Sequence, residues 1–228
     1  MEVRTLNRVY SLDIRDKSYL IRNKLPVHQT VKYTQRYWND NGWWGDQGDT
    51  PYCVGYAWAH WIEDGPVEHA GVAPIVPPKL IYDGAQKVDE WAGENYEGTS
   101  VRGAARYLQT AKKIGSYYWA FDIKTIVNTL LTTGPLVVGT NWHANMMTPS
   151  KIGFIQPTGA ILGGHSYVLN GVDTKANKIR IKNSWGKSWG KGGHAWITIP
   201  YMELLIKAQG EACIAVEKTD AQLKVLHS

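Results

Sequence analysis

The sequence predicts an α+β protein in which a mainly helical half is followed by a strand-rich half. Helical periodicity continues as far as Gly134-Pro135, and from Leu136 onward the apolar residues fall into short β-prone runs separated by Gly, Asn and Asp. The 228 residues are enough for a large core, in one domain or in two lobes that share an interface. Because the two halves differ in periodicity, we expect two lobes with a functional site in the cleft between them.

The chain divides into an N-terminal arm and these two lobes. Residues 1–40 are polar and irregular and predict an arm that packs on the body, with one strand near Lys32–Tyr37. A cleavable inhibitory segment is the alternative interpretation of this arm. We expect residues 41–115 to form the mainly helical lobe and residues 116–228 the mainly β lobe, together making a single two-lobed unit.

The helices are predicted from their caps and their apolar spacing. Thr50 can cap a helix that has Pro51 at its first position and ends at Gly65-Pro66. The other expected helices are Lys79–Trp91 with Leu80 and Ile81 in its apolar stripe, one from Ser100 to Gly115, one from Asp122 to Gly134, and a short one near Met202–Lys207.

Five strands are expected in the second half of the chain. Each is short, rich in β-branched or aromatic residues, and bounded by turn residues. The predicted strands are Leu136–Gly139, His165–Leu169, Ile179–Lys182, Ala195–Ile199 and Ala212–Glu217.

Composition excludes several classes of partner. The net charge is +5 and the pI is near 9.0, but Lys and Arg are scattered, with no run longer than Lys112-Lys113. We therefore expect no nucleic-acid or membrane partner, and oligomeric state is not indicated. No run of about 18 apolar residues is present, and Met1–Tyr10 lacks the apolar core of a signal peptide.

The two cysteines predict a reducing compartment and no metal site. Cys53 and Cys213 are far apart in the sequence and form neither a Cys-x-x-Cys motif nor the dense pattern of a disulfide scaffold. We expect a cytoplasmic protein without a metal or another cofactor.

Cys53 is the first candidate for chemistry. It falls in the first turn of the helix that follows Pro51, where unpaired N–H groups and the helix dipole favour a thiolate. The alternative is a small buried residue, which free cysteines commonly are. Gln47 favours the catalytic interpretation, because its side-chain amide and the Cys53 backbone N–H can together form an oxyanion hole.

A cysteine nucleophile needs a base and a group that orients the base. Among seven histidines, His165 follows Gly163-Gly164 and opens a predicted strand, which would hold its ring rigidly. Asn183, at the end of the next strand, can accept a hydrogen bond from the His165 ring, although Asn is also a common turn residue. Trp185 can cover that bond and exclude water.

These residues resemble the papain family of cysteine peptidases. The resemblance rests on Gln47 six positions before Cys53, on Gly-Gly-His ending at His165, and on Asn183-Ser184-Trp185-Gly186-x-x-Trp189-Gly190. It extends from about Gly42 to Cys213, and it is nearest in character to compact bacterial and phage-type members.

The resemblance implies a papain-like two-lobed fold, with a helical lobe, a barrel-like antiparallel β lobe and the active site between them. It implies that Cys53 is the nucleophile, that His165 is its acid–base partner, and that Asn183 and Gln47 complete the catalytic set. Trp185 and Gly164 are then expected on the substrate-binding wall. Tyr52 and Val54 depart from the family's usual Ser and Trp beside the nucleophile.

The sequence therefore predicts a thiol-dependent peptidase, most specifically an endopeptidase, that acts on polypeptides through an acyl-enzyme. A second interpretation keeps the Cys–His chemistry for amide hydrolysis or acyl transfer on a cell-wall or other amide. A third is a non-catalytic protein that retains the scaffold. The presence of Gln47, Cys53, His165 and Asn183 together argues against the third.

Overall fold

The computed structural model describes residues 4–11, 13–21, 33–40, 43–64, 74–93 and 95–216. These residues form an α+β structure with seven strands and five α-helices. The helices are α1 (Cys53–Asp64), α2 (Pro78–Gln86), α3 (Val101–Thr110), α4 (Ile123–Thr132) and α5 (Ile199–Lys207). The strands are β1 (Gln35–Tyr37), β2 (Tyr117–Ala120), β3 (Leu136–His143), β4 (Ile161–Asp173), β5 (Lys178–Lys182), β6 (His194–Thr198) and β7 (Glu211–Ala215).

The strands form one antiparallel sheet in the order β2-β7-β3-β4-β5-β6, and β1 pairs with the far end of β4. β4 is the longest strand, and its pairing with β3 sets Thr140 opposite His165. Since β4 also pairs with β5, the histidine on β4 and the residue that follows β5, Asn183, lie on neighbouring strands. The α+β class and the antiparallel sheet predicted from the sequence are confirmed.

Helix α1 runs through the core and carries Cys53 at its first position. Its two tryptophans are fully buried, and their ring N–H groups donate to the carbonyl oxygens of Val101 (3.1 Å) and Pro135 (2.9 Å). A Cβ at Gly55 would lie 2.2 Å from the Pro78 carbonyl oxygen, so glycine allows the start of α2 to approach α1 closely. These contacts fix the helix end that presents the cysteine.

The first described residues of the chain pass between the strand that carries His165 and the loop before α3. Asn7 pairs with Gly164 and Arg8 pairs with Thr99, both as parallel bridges. We call residues 4–11 the cleft segment. β1, further along the predicted arm, pairs with β4, so the arm joins the sheet at a second place.

Several expected boundaries differ in the structure. α2 ends at Gln86 rather than Trp91, and α3 ends at Thr110, well before Gly115. Leu80, expected in an apolar stripe, is 48% exposed, whereas Ile81 is buried. Strand β2 was not predicted. The expected end of α1 at Gly65-Pro66 lies outside the described residues, and the division of the chain into an arm and two lobes stays a prediction.

Candidate active site

His165 is held in a defined tautomer by Asn183. Nε2 of His165 lies 2.8 Å from Oδ1 of Asn183, and the same oxygen accepts a 2.8 Å bond from the backbone N–H of Ser184. An oxygen that already accepts from a backbone N–H must be the amide oxygen, so Nε2 of His165 carries the proton. Nδ1 is then an acceptor, and within the described residues it has no hydrogen-bond partner. This nitrogen is free to take a proton from a nucleophile.

Two tryptophans enclose the His165 ring. The ring centroid of Trp185 lies 5.0 Å from that of His165, and that of Trp142 lies 4.8 Å away in an edge-on arrangement. Both indoles are buried, and the His165 side chain is fully buried between them. Burial lowers the pKa of His165 to about 4, against a smaller opposite effect of the Asn183 hydrogen bond.

Cys53 lies against the strand that carries His165. The cysteine is fully buried, and its sulfur interacts with the backbone of Ser166, the residue after His165, and with the backbone of Asn7 in the cleft segment. Burial raises the pKa of the Cys53 thiol, although these backbone hydrogen bonds act in the opposite direction. The low thiol pKa expected at a helix N-terminus therefore does not hold while the sulfur is enclosed.

Gln47 is held with its amide nitrogen toward the cleft segment. Its Oε1 accepts a 2.6 Å bond from the Ser184 hydroxyl, and its backbone N–H donates to the Ser184 carbonyl oxygen at 2.8 Å. Nε2 donates to the carbonyl oxygens of Thr50 (3.0 Å) and Thr5 (3.1 Å). Thr5 belongs to the cleft segment, so a peptide carbonyl occupies the position that an oxyanion hole would bind.

The cleft segment is held mainly through its backbone. Arg8 N–H donates to the Gly164 carbonyl oxygen (2.9 Å), Val9 N–H donates to the Thr99 carbonyl oxygen (3.0 Å), and Thr99 N–H donates to the Asn7 carbonyl oxygen (3.3 Å). A Cβ at Gly164 would lie 2.0 Å from the Arg8 carbonyl oxygen. Glycine at this position is therefore required for an extended peptide to lie flat against the wall.

Charged side chains attach the cleft segment at its first residue and near its middle. Arg4 forms an ion pair with Asp46 and lies over the Trp185 ring, 5.9 Å from its centroid. Arg8 forms a buried ion pair with Glu211 at 3.0 Å. The segment thus contacts Cys53 through Asn7, and the enclosed cysteine and histidine are both in their neutral forms near pH 7 because burial disfavours either charge.

The six residues predicted for the site come together around this segment. His165 contacts Asn183 and Trp185 directly, Cys53 contacts the strand of His165, and Gly164 and Gln47 both bond to the cleft segment. Sequence reasoning missed Trp142 and Ser184. The motif contained Ser184, and a hydroxyl beside a predicted orienting Asn could have suggested its role, whereas nothing local marks Trp142.

The remaining three histidines within the described ranges have other surroundings. His143, the last residue of β3, has Nδ1 3.1 Å from the Gly159 carbonyl oxygen. His60 lies within α1, accepts a hydrogen bond from the Gly45 N–H at 3.2 Å, and packs against Trp43. Burial lowers the pKa of His60 well below its ordinary value, so it is a neutral structural acceptor. His194 lies 3.1 Å from Asp40, away from the cysteine. His28, His69 and His227 lie outside the described residues.

Solved structures share this architecture over nearly the whole chain. Xylellain, a cysteine protease from Xylella fastidiosa, aligns with a TM-score of 0.73 and 18% identity, covering 96% of this chain and 99% of its own. Procathepsin L2 from Tenebrio molitor gives 0.68 and 16%, covering 93% of this chain and 78% of its own. The bromelain protease from Ananas comosus, solved with the E64 inhibitor, gives 0.60 and 14%, covering 82% and 100%. The chain has a papain-like fold.

Sequence similarity to known proteins covers a smaller part of the chain than structural similarity does. A cathepsin B-like protein, CP2 of Giardia intestinalis, is 32% identical over 91 residues, which is 39% of this chain. The chain spans about 30% of the length of this curated relative. No protein-family model matches the sequence. Within the described residues, no helix combines the length and the apolar character needed to cross a membrane.

Proposed function

We propose that the chain is a thiol-dependent peptidase, specifically an endopeptidase, that hydrolyses peptide bonds through Cys53 and His165. The observation that carries this proposal is the cleft segment itself. It is an extended polypeptide that contacts the cysteine with its backbone and offers the Thr5 carbonyl oxygen to Gln47 Nε2 at 3.1 Å. A site that accommodates a peptide carbonyl beside a buried thiol has the geometry that peptide hydrolysis requires.

The proposed reaction begins when the cleft segment leaves and water or substrate enters. Nδ1 of His165 takes the proton of the Cys53 thiol, and the thiolate attacks the carbonyl carbon of the substrate. Gln47 Nε2 and the Cys53 backbone N–H, which no helical carbonyl can reach at the first helix position, stabilise the resulting oxyanion. His165 then donates its proton to the departing amine, which leaves a thioester on Cys53.

Hydrolysis of the thioester completes the cycle. His165 takes a proton from water, the hydroxide attacks the acyl carbon, and the released sulfur regains its proton. Asn183 keeps the His165 ring oriented through both steps, and Trp185 and Trp142 keep water from competing for the Asn183–His165 hydrogen bond. No metal or cofactor takes part in these steps.

We further propose that the cleft segment keeps the enzyme latent. The segment contacts the buried Cys53 through Asn7 and places the Thr5 carbonyl oxygen where the substrate carbonyl would bind, so a substrate must displace it. We also propose a cytoplasmic location, in keeping with a sequence that has only two cysteines, Cys53 and Cys213.

A digest of casein and of a peptide library, in the presence of a reducing agent, tests the proposed function. The full chain, Cys53→Ala, and an open variant carrying Arg4→Ala and Arg8→Ala should be compared. We expect cleavage by the open variant, slower cleavage by the full chain, and none by Cys53→Ala. If peptides stay intact while peptidoglycan yields soluble fragments, the enzyme is an amidase instead. If neither substrate is cleaved by any variant, the scaffold is not catalytic.

A further inference from the structure

Thr99, which lies just before α3, forms part of one wall of the cleft through its main chain. The Thr99 N–H donates to the Asn7 carbonyl oxygen (3.3 Å), and the Thr99 carbonyl oxygen accepts from the Val9 N–H (3.0 Å). The backbone of Asn7 also contacts the Cys53 sulfur, so these two bonds hold polypeptide beside the cysteine. Because they involve no side chain of the bound segment, they suit any extended peptide.

Gly98, the residue before Thr99, has both of its backbone polar groups bonded to side chains of α2. Its N–H donates to the Tyr82 hydroxyl (2.9 Å), and its carbonyl oxygen accepts from Gln86 Nε2 (3.2 Å). Tyr82 and Gln86 are four positions apart in α2, so they lie on one face of that helix. Gly98 has a φ of 118°, and a Cβ there would lie 2.3 Å from the Asn7 carbonyl oxygen, so this position requires glycine.

Thr99 itself is fixed by Asp89, which follows the end of α2. The fully buried Thr99 donates through its hydroxyl to Asp89 Oδ2 at 2.7 Å. Oδ2 also accepts from the Tyr96 hydroxyl (2.6 Å), and Oδ1 accepts from the backbone N–H of Trp91 (3.1 Å), so the carboxylate is itself held in place. Asp89 is only 6% exposed, and a Cβ at Gly103 would lie 2.7 Å from its Cβ, so glycine on α3 permits this close packing.

These side-chain bonds leave the Thr99 main chain to the occupant of the cleft. The polar groups of Gly98 are satisfied by α2, and the Thr99 hydroxyl is satisfied by Asp89, while the Thr99 N–H and carbonyl oxygen bond to the cleft segment. Two backbone groups that are already fixed cost a peptide less ordering free energy on binding than groups on a mobile loop would.

We propose that Asp89 is a positioning residue for peptide binding, which holds Thr99 by its hydroxyl so that the Thr99 N–H and carbonyl oxygen meet the main chain of a peptide in the cleft. Asp89 acts through Thr99 and takes no part in the chemistry. The proposal rests on the proposed peptidase function for its effect on catalysis, but its effect on the cleft segment can be measured without catalysis.

The first test measures steady-state kinetics in the open variant, Arg4→Ala with Arg8→Ala, to which Thr99→Val or Thr99→Ser is added. Valine keeps the shape of threonine without the hydroxyl, whereas serine keeps the hydroxyl. With a library peptide that the open variant cleaves, we expect Thr99→Val to raise KM about tenfold, the loss expected when one hydrogen bond to the peptide is forfeited. The kcat value should change much less, and Thr99→Ser should behave like the open variant. Partial unfolding would instead lower kcat and leave KM unchanged.

Asp89→Ala removes the same hydrogen bond from its other side. We expect it to raise KM at least as much as Thr99→Val does, and the two changes together to raise KM no further than Asp89→Ala alone. Asp83→Ala is the matched control and should leave KM unchanged, because Asp83 is a partly exposed residue of α2 that pairs with Lys79.

Hydrolysis of p-nitrophenyl acetate distinguishes positioning of a peptide from an effect on the chemistry. This ester has no peptide main chain for Thr99 to bond, so Thr99→Val and Asp89→Ala should slow its hydrolysis much less than they slow cleavage of the peptide. Equal losses for both substrates would overturn the proposal, and so would a KM for Thr99→Ser as high as that for Thr99→Val.

The second test follows the cleft segment in the full chain, with Arg4 and Arg8 intact. Labelling of Cys53 by iodoacetamide reports how often the segment opens. We expect Thr99→Val to be labelled several-fold faster than wild type and Thr99→Ser to be labelled at the wild-type rate, with the buried Cys213 unlabelled in both. Labelling of Thr99→Val at the wild-type rate would refute the positioning role.

The outcomes separate the two proposals. Peptide cleavage with an unchanged KM in Thr99→Val and Asp89→Ala refutes the positioning role and leaves the peptidase function standing. Absence of all cleavage, together with faster labelling of Cys53 in Thr99→Val but not in Thr99→Ser, refutes the peptidase function. The positioning role then stands, because Thr99 still holds a polypeptide in the cleft through the hydroxyl that Asp89 accepts.

Discussion

At the scale of single residues, the site depends on amide groups whose orientation is fixed by neighbouring donors. Gln47 can face the cleft with its nitrogen only because its oxygen is bonded to the Ser184 hydroxyl. Asn183 can orient His165 only because its oxygen is fixed by the Ser184 backbone N–H. One serine therefore supports both Gln47, the proposed oxyanion-hole donor, and Asn183, which orients the proposed base His165.

Gln47→Ala should lower kcat by about 10²- to 10³-fold, the usual loss on removing one oxyanion donor. KM should change less, because the donor acts mainly on charge that develops in the transition state. Steady-state kinetics of the open variant with and without Gln47→Ala measure this. An unchanged kcat would remove Gln47 from the mechanism.

Ser184→Ala should lower kcat by about tenfold, since the Gln47 amide loses the bond that fixes its orientation and leaves a buried oxygen unpaired. Ser116→Ala, which removes an exposed hydroxyl far from the cleft, is the matched control and should leave kcat unchanged. Adding Gln47→Ala to Ser184→Ala should cost less than Gln47→Ala alone costs in wild type, because both changes act on the same group. Additive losses would show that Ser184 acts elsewhere.

His165 should make the enclosed protein less stable in acid. Its folded-state pKa of about 4 lies below the ordinary 6.5, so the unfolded state binds more protons between these pH values. The contribution of His165 to the free energy of unfolding is fully present above pH 6.5 and is lost as the pH falls toward 4. The total loss is roughly 3 kcal/mol. Urea unfolding at pH 7 and at pH 4.5 should show a smaller loss of stability for His165→Gln than for wild type. Equal losses would contradict the assignment.

At the scale of helices and strands, some local signals were reliable and long-range pairings were not. The expected Thr50 cap is wrong, because α1 begins at Cys53 and the Thr50 hydroxyl donates to the Gln47 carbonyl oxygen. Ser100 and Asp122 accept hydrogen bonds from the backbone N–H groups of Gly103 and Thr125, as their positions before apolar periodic stretches predict. These caps involve neighbours three residues apart. Strand β2 was missed because it is stabilised by pairing with β7, whose register sets Tyr117 opposite Ala215. The partner strand leaves no trace in the sequence around β2, although Tyr117, Tyr118 and Trp119 are themselves β-prone and could have suggested a strand.

A buried ion pair joins α1, the helix that carries Cys53, to the sheet. Lys182 on β5 and Asp64, the last residue of α1, are fully buried and bonded at 2.7 Å, and the Lys182 ammonium lies 4.4 Å from the Trp44 ring centroid. The next residue after Lys182 is Asn183, so this pair also anchors the strand end that orients the base. The role of this ion pair is to position α1 relative to β5, because a buried ion pair adds little net stability compared with apolar packing.

Lys182→Met should therefore destabilise the protein by about 3–5 kcal/mol, since it leaves the Asp64 carboxylate buried without its cation. Lys207→Met is the control, because Lys207 forms an exposed i,i+4 pair with Glu203 and should cost no more than about 0.5 kcal/mol. Chemical denaturation of both variants measures the difference. A cost for Lys182→Met as small as that of the control would show that the pair does not anchor the helix.

At the scale of the whole molecule, the sequence predicted a candidate catalytic set but not the path of the arm. The sequence pattern was enough to identify four candidate residues, because their expected chemical roles depend on one another: Gln47, Cys53, His165 and Asn183. The cleft segment has no periodicity, and Arg8 and Glu211 are separated by 203 positions. Only the folded chain brings this arginine to that carboxylate, which is why the sequence left an inhibitory arm as no more than an alternative interpretation.

Accessibility of Cys53 tests the cleft segment directly. Iodoacetamide should label Cys53 slowly in the full chain at pH 6, because the thiol is fully buried and burial raises its pKa. The variant carrying Arg4→Ala and Arg8→Ala loses both charged attachments, so its Cys53 should react at least tenfold faster. A tenfold change corresponds to about 1.4 kcal/mol in the free energy that keeps the cleft segment closed over Cys53.

Arg15→Ala is the matched control, since Arg15 pairs with Asp13 outside the cleft and is largely exposed. Cys213 on β7 reports on global opening. It is fully buried, and burial raises its pKa well above the ordinary value, so it should stay unlabelled in every folded variant. Peptide mapping of the alkylated protein distinguishes the two thiols. Equal labelling of Cys53 in wild type and in the double variant would mean that the arm does not control access to Cys53. Labelling of both cysteines together would mean that the substitutions had unfolded the chain rather than opened the cleft.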